Sequence, residues 1–319
     1  MPTDRPVVLL ASRVPAPFTA ALAERYEIVG PLAPPFEGMD AAIAARVRAI
    51  VTMGTVGGNA DAMARLPNLG LVCCVGSGYE NVDVDAAHAR GIAVTHSAGA
   101  NADSVADVAL GLLIASVRGF PAGLARIRDG SWRGNAARRT PFARGLRALR
   151  VGIYGLGAIG TCVARRVDAC GSIVGYHGRR PHADVSYPYF ATLHALAEWS
   201  DALVVTVRAD ASNRRAVDAG VLRALGPDGH VVNVARGSVI DEAALIAALA
   251  QGRLAGAGLD VFEHEPEVPD ALLALPNVAL TPHLGGATIE AQVAMQASVM
   301  RNLAAFFAGE PLPTPVHAR

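Results

Sequence analysis

Short apolar runs alternate with alanine-rich stretches along the whole chain. Val7–Ala11 (VVLLA), Ala49–Thr52 (AIVT), Leu69–Val75 (LGLVCCV) and Ile92–Thr95 (IAVT) are runs of four to seven residues without polar alternation. That pattern predicts strands buried on both faces. Between them the spacing predicts helices over 17–25, 40–46 and 59–65, a first βα series that ends near residue 98. A long helix follows from about Asn101 to Val117, with Asn101 or Asp103 available to cap it. From Val105 onward it is apolar on nearly every face, which predicts burial between domains or between subunits. A second series then runs through 149–160 (LRVGIYGLGAIG), 173–176 (IVGY), 202–207 (ALVVTV), 230–235 (HVVNVA), 255–262 (AGAGLDVF) and 278–283 (VALTPH). Helices fall between these strands, for example over 158–170 and 241–250. Six strands linked by crossovers predict a second doubly wound parallel sheet. The amphipathic stretch 288–308 suits either domain on pattern alone.

Bulk composition narrows the function classes. The chain has 319 residues, room for two domains, and 52% of them are hydrophobic. Lys plus Arg and Asp plus Glu both number 28, so no basic surplus favours nucleic acid or an anionic membrane. The greasiest stretch, Val108–Val117, is far below the ~20 residues of a membrane span. The N-terminal apolar run is too short for a signal peptide. Cys73, Cys74, Cys162 and Cys170 lie in apolar stretches without a C-x-x-C spacing and read as reduced, buried thiols, which makes the cytoplasm the expected compartment.

The stretch 151–160 is a strand running into Gly155-x-Gly157-x-x-Gly160 and then into a helix. The first glycine permits a tight turn, the second lets a pyrophosphate reach the backbone, and the third lets helix pack on strand. With a βαβ continuation, this predicts dinucleotide binding. The acidic residue that normally holds the ribose hydroxyls would fall near position 178. Here Gly178 is followed by Arg179 and Arg180. Loss of the carboxylate removes repulsion of a 2′-phosphate, and two guanidiniums can grip one. The expected cofactor is therefore NADP(H) rather than NAD(H).

Three polar residues follow late strands. Arg236 comes directly after 230–235, Asp260 and Glu265 surround the end of the next strand, and His283 follows the last. In an open α/β sheet the carboxyl ends of the strands form the ligand crevice. An Arg, a Glu and a His gathered there suit ketoacid reduction. The Arg clamps a carboxylate and polarises a carbonyl, the protonated His gives a proton, and the Glu favours the charged ring. His264, between two glutamates, invites a metal reading, but no second His or Cys stands at ligand spacing, and no metal is expected.

In order, GLGAIG, NVARGSVIDEAALIAAL, AGLDVFEHEP and LPNVALTPHLGGAT make the chain resemble the D-isomer-specific 2-hydroxyacid dehydrogenase family over nearly its whole length. The resemblance implies a flavodoxin-like substrate domain, residues 1–98 completed by 287–319, and an inserted Rossmann domain, residues 99–286. It implies Arg236, Glu265 and His283 as the catalytic trio and Asp260 as the partner of the nicotinamide carboxamide. Within the family, YHGRRP is similar to NADPH-preferring glyoxylate, hydroxypyruvate and hydroxyphenylpyruvate reductases. CVGSGYENVD matches the loop that holds the substrate carboxylate, which points to Gly76, Ser77 and Gly78 and fits a backbone anion nest. Val105, Leu156, Gly157, Ala158, Ile159, Gly160, Gly178, Arg179, Arg180, Val207, Val234, Ala235, Gly285 and Gly286 join Asp260 in the expected cofactor set.

The loop after Val207 departs from the family pattern. Arg208 stands at a usual Pro and Asn213 at a usual Thr. Both are kept in the cofactor set, Arg208 as a possible aid to the extra phosphate. His177 lies near the expected adenosine, and Trp132 suits core or interface. A small 2-ketoacid substrate and a homodimer are expected. Alternatives are a phosphoglycerate dehydrogenase-like enzyme or formate or phosphite oxidation, all of which would want NAD(H), and a non-catalytic dinucleotide-sensing corepressor.

Overall fold

A computed structural model describes residues 5–133 and 142–317. The chain divides into two compact units, Met1–Asn101 with Ile289–Arg319, and Ala102–Thr288.

The first unit carries β1 (Val7–Leu10), α1 (Ala16–Ala23), β2 (Glu27–Val29), α2 (Ala41–Arg46), β3 (Val47–Thr52), α3 (Ala60–Ala64), β4 (Leu71–Cys74), α4 (Val84–Ala89) and β5 (Ala93–His96). Its five strands are parallel in the order β2-β1-β3-β4-β5, the flavodoxin-like order. Asp40, Asn59 and Asp83 cap α2, α3 and α4 through their side-chain oxygens. β2 has only three half-buried residues, too few to register as a periodic run. The second unit carries α5 (Ala102–Val117), α6 (Phe120–Arg128), β6 (Arg150–Tyr154), α7 (Ala158–Ala169), β7 (Ile173–His177), α8 (Leu193–Trp199), β8 (Ala202–Val205), α9 (Ala219–Leu225), β9 (His230–Asn233), α10 (Glu242–Ala250), β10 (Gly256–Leu259), α11 (Asp270–Leu273) and β11 (Val278–Leu280). Its sheet is parallel, in the order β11-β10-β9-β8-β6-β7. The chain closes with α12 (Ile289–Ala308), which packs on the first unit's sheet through Val299, Leu303, Phe306 and Phe307.

The structure corrects several expectations. The boundaries lie at 101/102 and 288/289 rather than 98/99 and 286/287. Ser97 N–H donates to Gly76 O at 2.8 Å, and Ser77 Oγ donates to Asn101 Oδ1 at 2.7 Å. These bonds keep 97–101 with the first unit. Thr288 Oγ1 lies 2.6 Å from Ser104 Oγ, inside the second. The expected caps of α5 are spent elsewhere: Asn101 on Ser77 and Asp103 on Arg166 at 3.1 Å. One face of the helix lies on its own unit's sheet, with Val105, Ala109, Leu112 and Leu113 in one core with α7, β6 and β9. Ser116 Oγ meets His230 Nδ1 at 2.9 Å at the start of β9, and burial pushes that imidazole down to about 4. No single helix among the described residues is long and apolar enough to cross a membrane.

The amino ends of β6, β8 and β9 are tied by Asp201, whose side chain is 11% exposed. Its carboxylate accepts from Arg150 N–H at 2.8 Å and from Arg150 Nη2 at 3.1 Å, and pairs with Arg144 Nη1 at 3.0 Å. Its own N–H donates to Arg150 O, and its carbonyl accepts from His230 N–H. Burial alone would raise this carboxyl, but the hydrogen bonds from Arg150 and Arg144 outweigh it and hold the group well below the usual carboxylate range. Asp201→Asn should destabilise the fold by about 1–3 kcal/mol at pH 7. A depressed folded-state carboxyl contributes stability above the unfolded value and loses it as pH falls, so the gap should shrink below about pH 4. Denaturant titrations at pH 7 and pH 3 check this, and an undiminished gap at pH 3 contradicts it.

Candidate active site

The site in the second unit is built where the parallel strands end. After β6, Gly155 turns the chain at φ +99, and a Cβ there would fall 2.6 Å from Val207 Cα. At Gly160 a Cβ would fall 2.1 Å from Gly155 O. Both glycines are therefore demanded by close packing of the turn. Gly157 differs, because nothing lies within 4 Å of its Cβ position. It stands at the amino end of α7, a helix of 12 residues. Bare backbone, open space and a helix dipole together fit a pyrophosphate. Leu156 is buried beneath this turn, and Ile159 packs against the same core.

At the end of β7, Gly178 also has open space around it. Arg179 and Arg180 are exposed and make no hydrogen bond or ion pair among the described residues. The loop that carries them is pinned from behind. Tyr189 Oη donates to Gly178 O at 3.1 Å, and Tyr176 Oη accepts from His182 N–H at 2.7 Å. His177 stacks on Tyr154 with ring centroids 5.6 Å apart and bonds Phe190 O through Nδ1 at 2.8 Å. Two unpaired guanidiniums on a fixed loop fit a phosphate dianion.

The turn after β8 revises the expectation for Asn213. That residue is 8% exposed. Its Nδ2 donates to Arg208 O at 2.7 Å, and its Oδ1 accepts from Asp210 N–H at 2.9 Å. The amide closes the 208–213 turn rather than reaching outward. Arg208 bonds Asp210 Oδ2 at 3.2 Å. It follows β8, and β6 stands between β8 and β7. With neighbouring strands ~4.8 Å apart, Arg208 starts about 10 Å from the Arg179 loop. It belongs to the opposite flank of the glycine turn. Thr206, which sequence reasoning passed over, ties that turn to β8 by donating to Gly155 O at 2.8 Å.

After β9, Val234 and Ala235 are buried and Arg236 begins a 3-10 turn, Gly237–Val239. Asn233, 1% exposed, braces this turn from below. Its Nδ2 donates to Arg236 O at 2.9 Å, and its Oδ1 accepts from Ala235 N–H at 3.0 Å. Arg236 is half-buried, with Nη1 on Ala235 O at 2.6 Å.

Glu265 and His283 meet. Glu265 Oε2 lies 2.7 Å from His283 Nδ1, while its Oε1 accepts from Phe262 N–H at 3.1 Å. The imidazole therefore has Nδ1 engaged by the carboxylate. His283 holds φ +52, the left-handed region that a residue with a Cβ enters at a cost. The structure that enforces it is visible. His283 N–H donates to Asp260 O at 2.9 Å. The Asp260 carboxylate, 1% exposed, takes Thr281 Oγ1 at 2.6 Å and Leu284 N–H at 2.7 Å on Oδ1, and Gly285 N–H at 2.9 Å on Oδ2. A carboxylate has about four acceptor positions, so one remains on Oδ2. Gly285 packs tightly here: a Cβ would fall 3.1 Å from Asp260 Oδ2 and 3.2 Å from Val105 Cγ2. Val105, Asp260, Gly285 and the histidine turn thus form one packed group, with Gly286 next along the chain.

In the first unit, Gly76, Ser77 and Gly78 follow β4. Among the described residues none accepts from their N–H groups. The Ser77 hydroxyl is committed to Asn101 and to Ser97 O, and its carbonyl lies 2.9 Å from His96 Nδ1. The loop is locked to its neighbour, since a Cβ on Gly54 would fall 2.4 Å from Gly78 O. Rigid backbone with free amides suits an anion.

Comparison with known proteins agrees with this architecture. The family model described as "D-isomer specific 2-hydroxyacid dehydrogenase, NAD binding domain" matches residues 110–285. Glyoxylate/hydroxypyruvate reductase A HPR2 of Arabidopsis thaliana is 40% identical over 271 residues, covering 85% of each chain. The 2-ketogluconate reductase of Gluconobacter oxydans is 39% identical over 274 residues, covering 86% of this chain and 87% of its own. Among solved structures, the NADPH-dependent glyoxylate/hydroxypyruvate reductase of Sinorhizobium meliloti, in complex with NADP and malonate, superposes with a TM-score of 0.89 at 40% identity. That match covers 98% of this chain and 97% of the other. On its sequence, its sheet orders and its site alike, the chain belongs to the D-isomer-specific 2-hydroxyacid dehydrogenase family.

Proposed function

We propose that this protein reduces small 2-ketoacids to D-2-hydroxyacids with NADPH, glyoxylate and hydroxypyruvate first among them. The observation that carries the reading is the Glu265–His283 pair at 2.7 Å, held at strand ends in the same unit as an open glycine turn and two unpaired arginines. Once bound, the nicotinamide would supply the hydride. The chain's own residues bind, orient and protonate. Gly157 and the amino end of α7 receive the pyrophosphate, and Arg179 and Arg180 the 2′-phosphate. The remaining acceptor position of Asp260 suits an amide N–H, the donor that a carboxamide offers. Arg236 binds the substrate carboxylate and polarises the ketone. His283 Nε2 gives its proton to the substrate carbonyl oxygen, which becomes the hydroxyl of the product. Glu265 orients the ring through the other nitrogen. The free amides of Gly76–Gly78 suit a carboxylate as well.

Gly178 and the arginine pair favour this reading over an NAD(H)-linked phosphoglycerate, formate or phosphite enzyme. The relatives' names place 2-ketogluconate beside hydroxyphenylpyruvate as a further substrate to test. A corepressor-like sensor has no use for a proton donor, so turnover of any ketoacid would decide against it. We also propose a homodimer. Phe120, Leu124 and Ile127, on one face of α6, and Trp132 beyond it are 46–61% exposed, an apolar face that a second copy would cover. Cys73 and Cys74 are buried as expected, but Cys162 is half-buried and Cys170, at the end of α7, is exposed; four free thiols suit a reducing compartment, and the cytoplasm is the one proposed.

Oxidation of NADPH followed at 340 nm with glyoxylate, hydroxypyruvate, pyruvate, hydroxyphenylpyruvate and 2-ketogluconate tests the reading. Turnover of at least one is expected, and tight NADPH binding without turnover of any supports the sensor instead. Arg179→Ala with Arg180→Ala should raise KM for NADPH about ten- to a hundredfold, the worth of lost charge-assisted hydrogen bonds. KM for NADH should stay nearly unchanged, and equal effects on both cofactors contradict the assignment. His283→Ala should lower kcat by about 10²–10⁴ with NADPH affinity retained, as measured by fluorescence titration. Arg236→Ala should instead damage both KM for the ketoacid and kcat. Full activity in either variant removes that residue from its role.

A further inference from the structure

Glu263 and Glu265 stand two residues apart, and the chemistry above uses only Glu265. Glu263 is the more buried of the two, its side chain 9% exposed against 29%. A carboxylate so enclosed needs paired charge. Arg214 Nη2 reaches its Oε1 at 2.8 Å and Arg215 Nη2 reaches the same oxygen at 3.1 Å. Its backbone N–H donates to Glu242 Oε2 at 3.2 Å.

The two arginines are anchored in turn to the Arg236 turn. Arg215 N–H donates to Ser238 O at 2.8 Å, and Val217 bridges to Ile240. Arg215 holds φ +52, a conformation that surrounding contacts must sustain. Gly237 presses directly on the other loop, where a Cβ would fall 1.9 Å from the Phe262 carbonyl carbon and 2.3 Å from Glu263 N. The turn that carries Arg236 and the loop that carries Glu265 are therefore one block, and the Glu263 ion pairs clamp it.

We infer that Glu263 is a positioning residue: gripped by Arg214 and Arg215, it sets the 262–265 loop in the register that lays Glu265 against His283. The inference rests on the reading of Glu265 and His283 as the catalytic pair. The lever is short. Phe262 N–H holds Glu265 Oε1, and the opposite oxygen makes the 2.7 Å contact with the ring. A shift of about 1 Å in that backbone can cost a hundredfold in rate.

Glu263→Gln keeps the shape of the side chain and removes its charge. In NADPH-linked ketoacid reduction, kcat should fall about ten- to a hundredfold, with KM for NADPH nearly unchanged. The pH profile discriminates positioning from mere bracing. Reduction draws a proton from the imidazole, so a variant that displaces Glu265 changes the profile as Glu265→Gln does, whereas one that only loosens the fold leaves the parent's profile. Arg215→Ala, which leaves the Glu263 backbone bonds in place, should move the profile the same way and serves if Glu263→Gln does not fold. A lowered Tm with the parent's kcat and profile in these variants overturns the inference. Glu265→Gln measured alongside separates the levels. If it shifts the profile and Glu263→Gln does not, only the positioning role falls; if Glu265→Gln shifts nothing, the catalytic pairing fails and the inference with it.

Discussion

A single contact, Glu265 Oε2 to His283 Nδ1 at 2.7 Å, decides which nitrogen of the imidazole is available for chemistry. With Nδ1 committed, Nε2 is left to give or take a proton. The contact is only as good as the backbone on either side of it. His283 sits in the left-handed region, and the Asp260 backbone and carboxylate hold its turn there through four hydrogen bonds. Glu265 hangs from a loop packed so closely on Gly237 that a Cβ there would fall 1.9 Å from the Phe262 carbonyl carbon. Strain at the site is thus maintained by buried polar groups whose desolvation is offset by multiple partners.

The same logic separates residues that hold from residues that reach. Asn233, Asp260, Thr206 and Asn213 spend their polar atoms on neighbouring turns. Arg179 and Arg180, by contrast, have no partner among the described residues, and Gly157 and Gly178 face open space. A side chain fully engaged inside the protein shapes a site, and one left unengaged at a strand end is free to meet a ligand. Asp260 belongs with the first group, with one acceptor position of its carboxylate left over.

Much of this was legible in the sequence. The strands of the Rossmann unit, the glycine turn and the positions of Arg236, Glu265 and His283 follow from apolar runs and the polar residues that end them. β2 was not legible because three half-buried residues carry no period. The burial of α5 was legible, but its partner was not: an all-round apolar pattern does not say which surface covers it, and Ser116 with His230 decides that. The unit boundaries moved by two or three residues because the Ser77–Asn101 and Ser104–Thr288 bonds join positions far apart in the chain. Asn213 was placed with the cofactor by resemblance, although its amide closes a local turn. Glu263 was not singled out, since nothing in EHEP tells that two arginines nearly fifty residues earlier reach back to it.

Nitrogen NMR of the enzyme labelled at histidine tests the central contact most directly. Across the titration of His283, the account predicts that Nδ1 keeps its proton, bonded to Glu265, while Nε2 gains and loses one. A neutral ring protonated at Nε2, with Nδ1 bare, would contradict it.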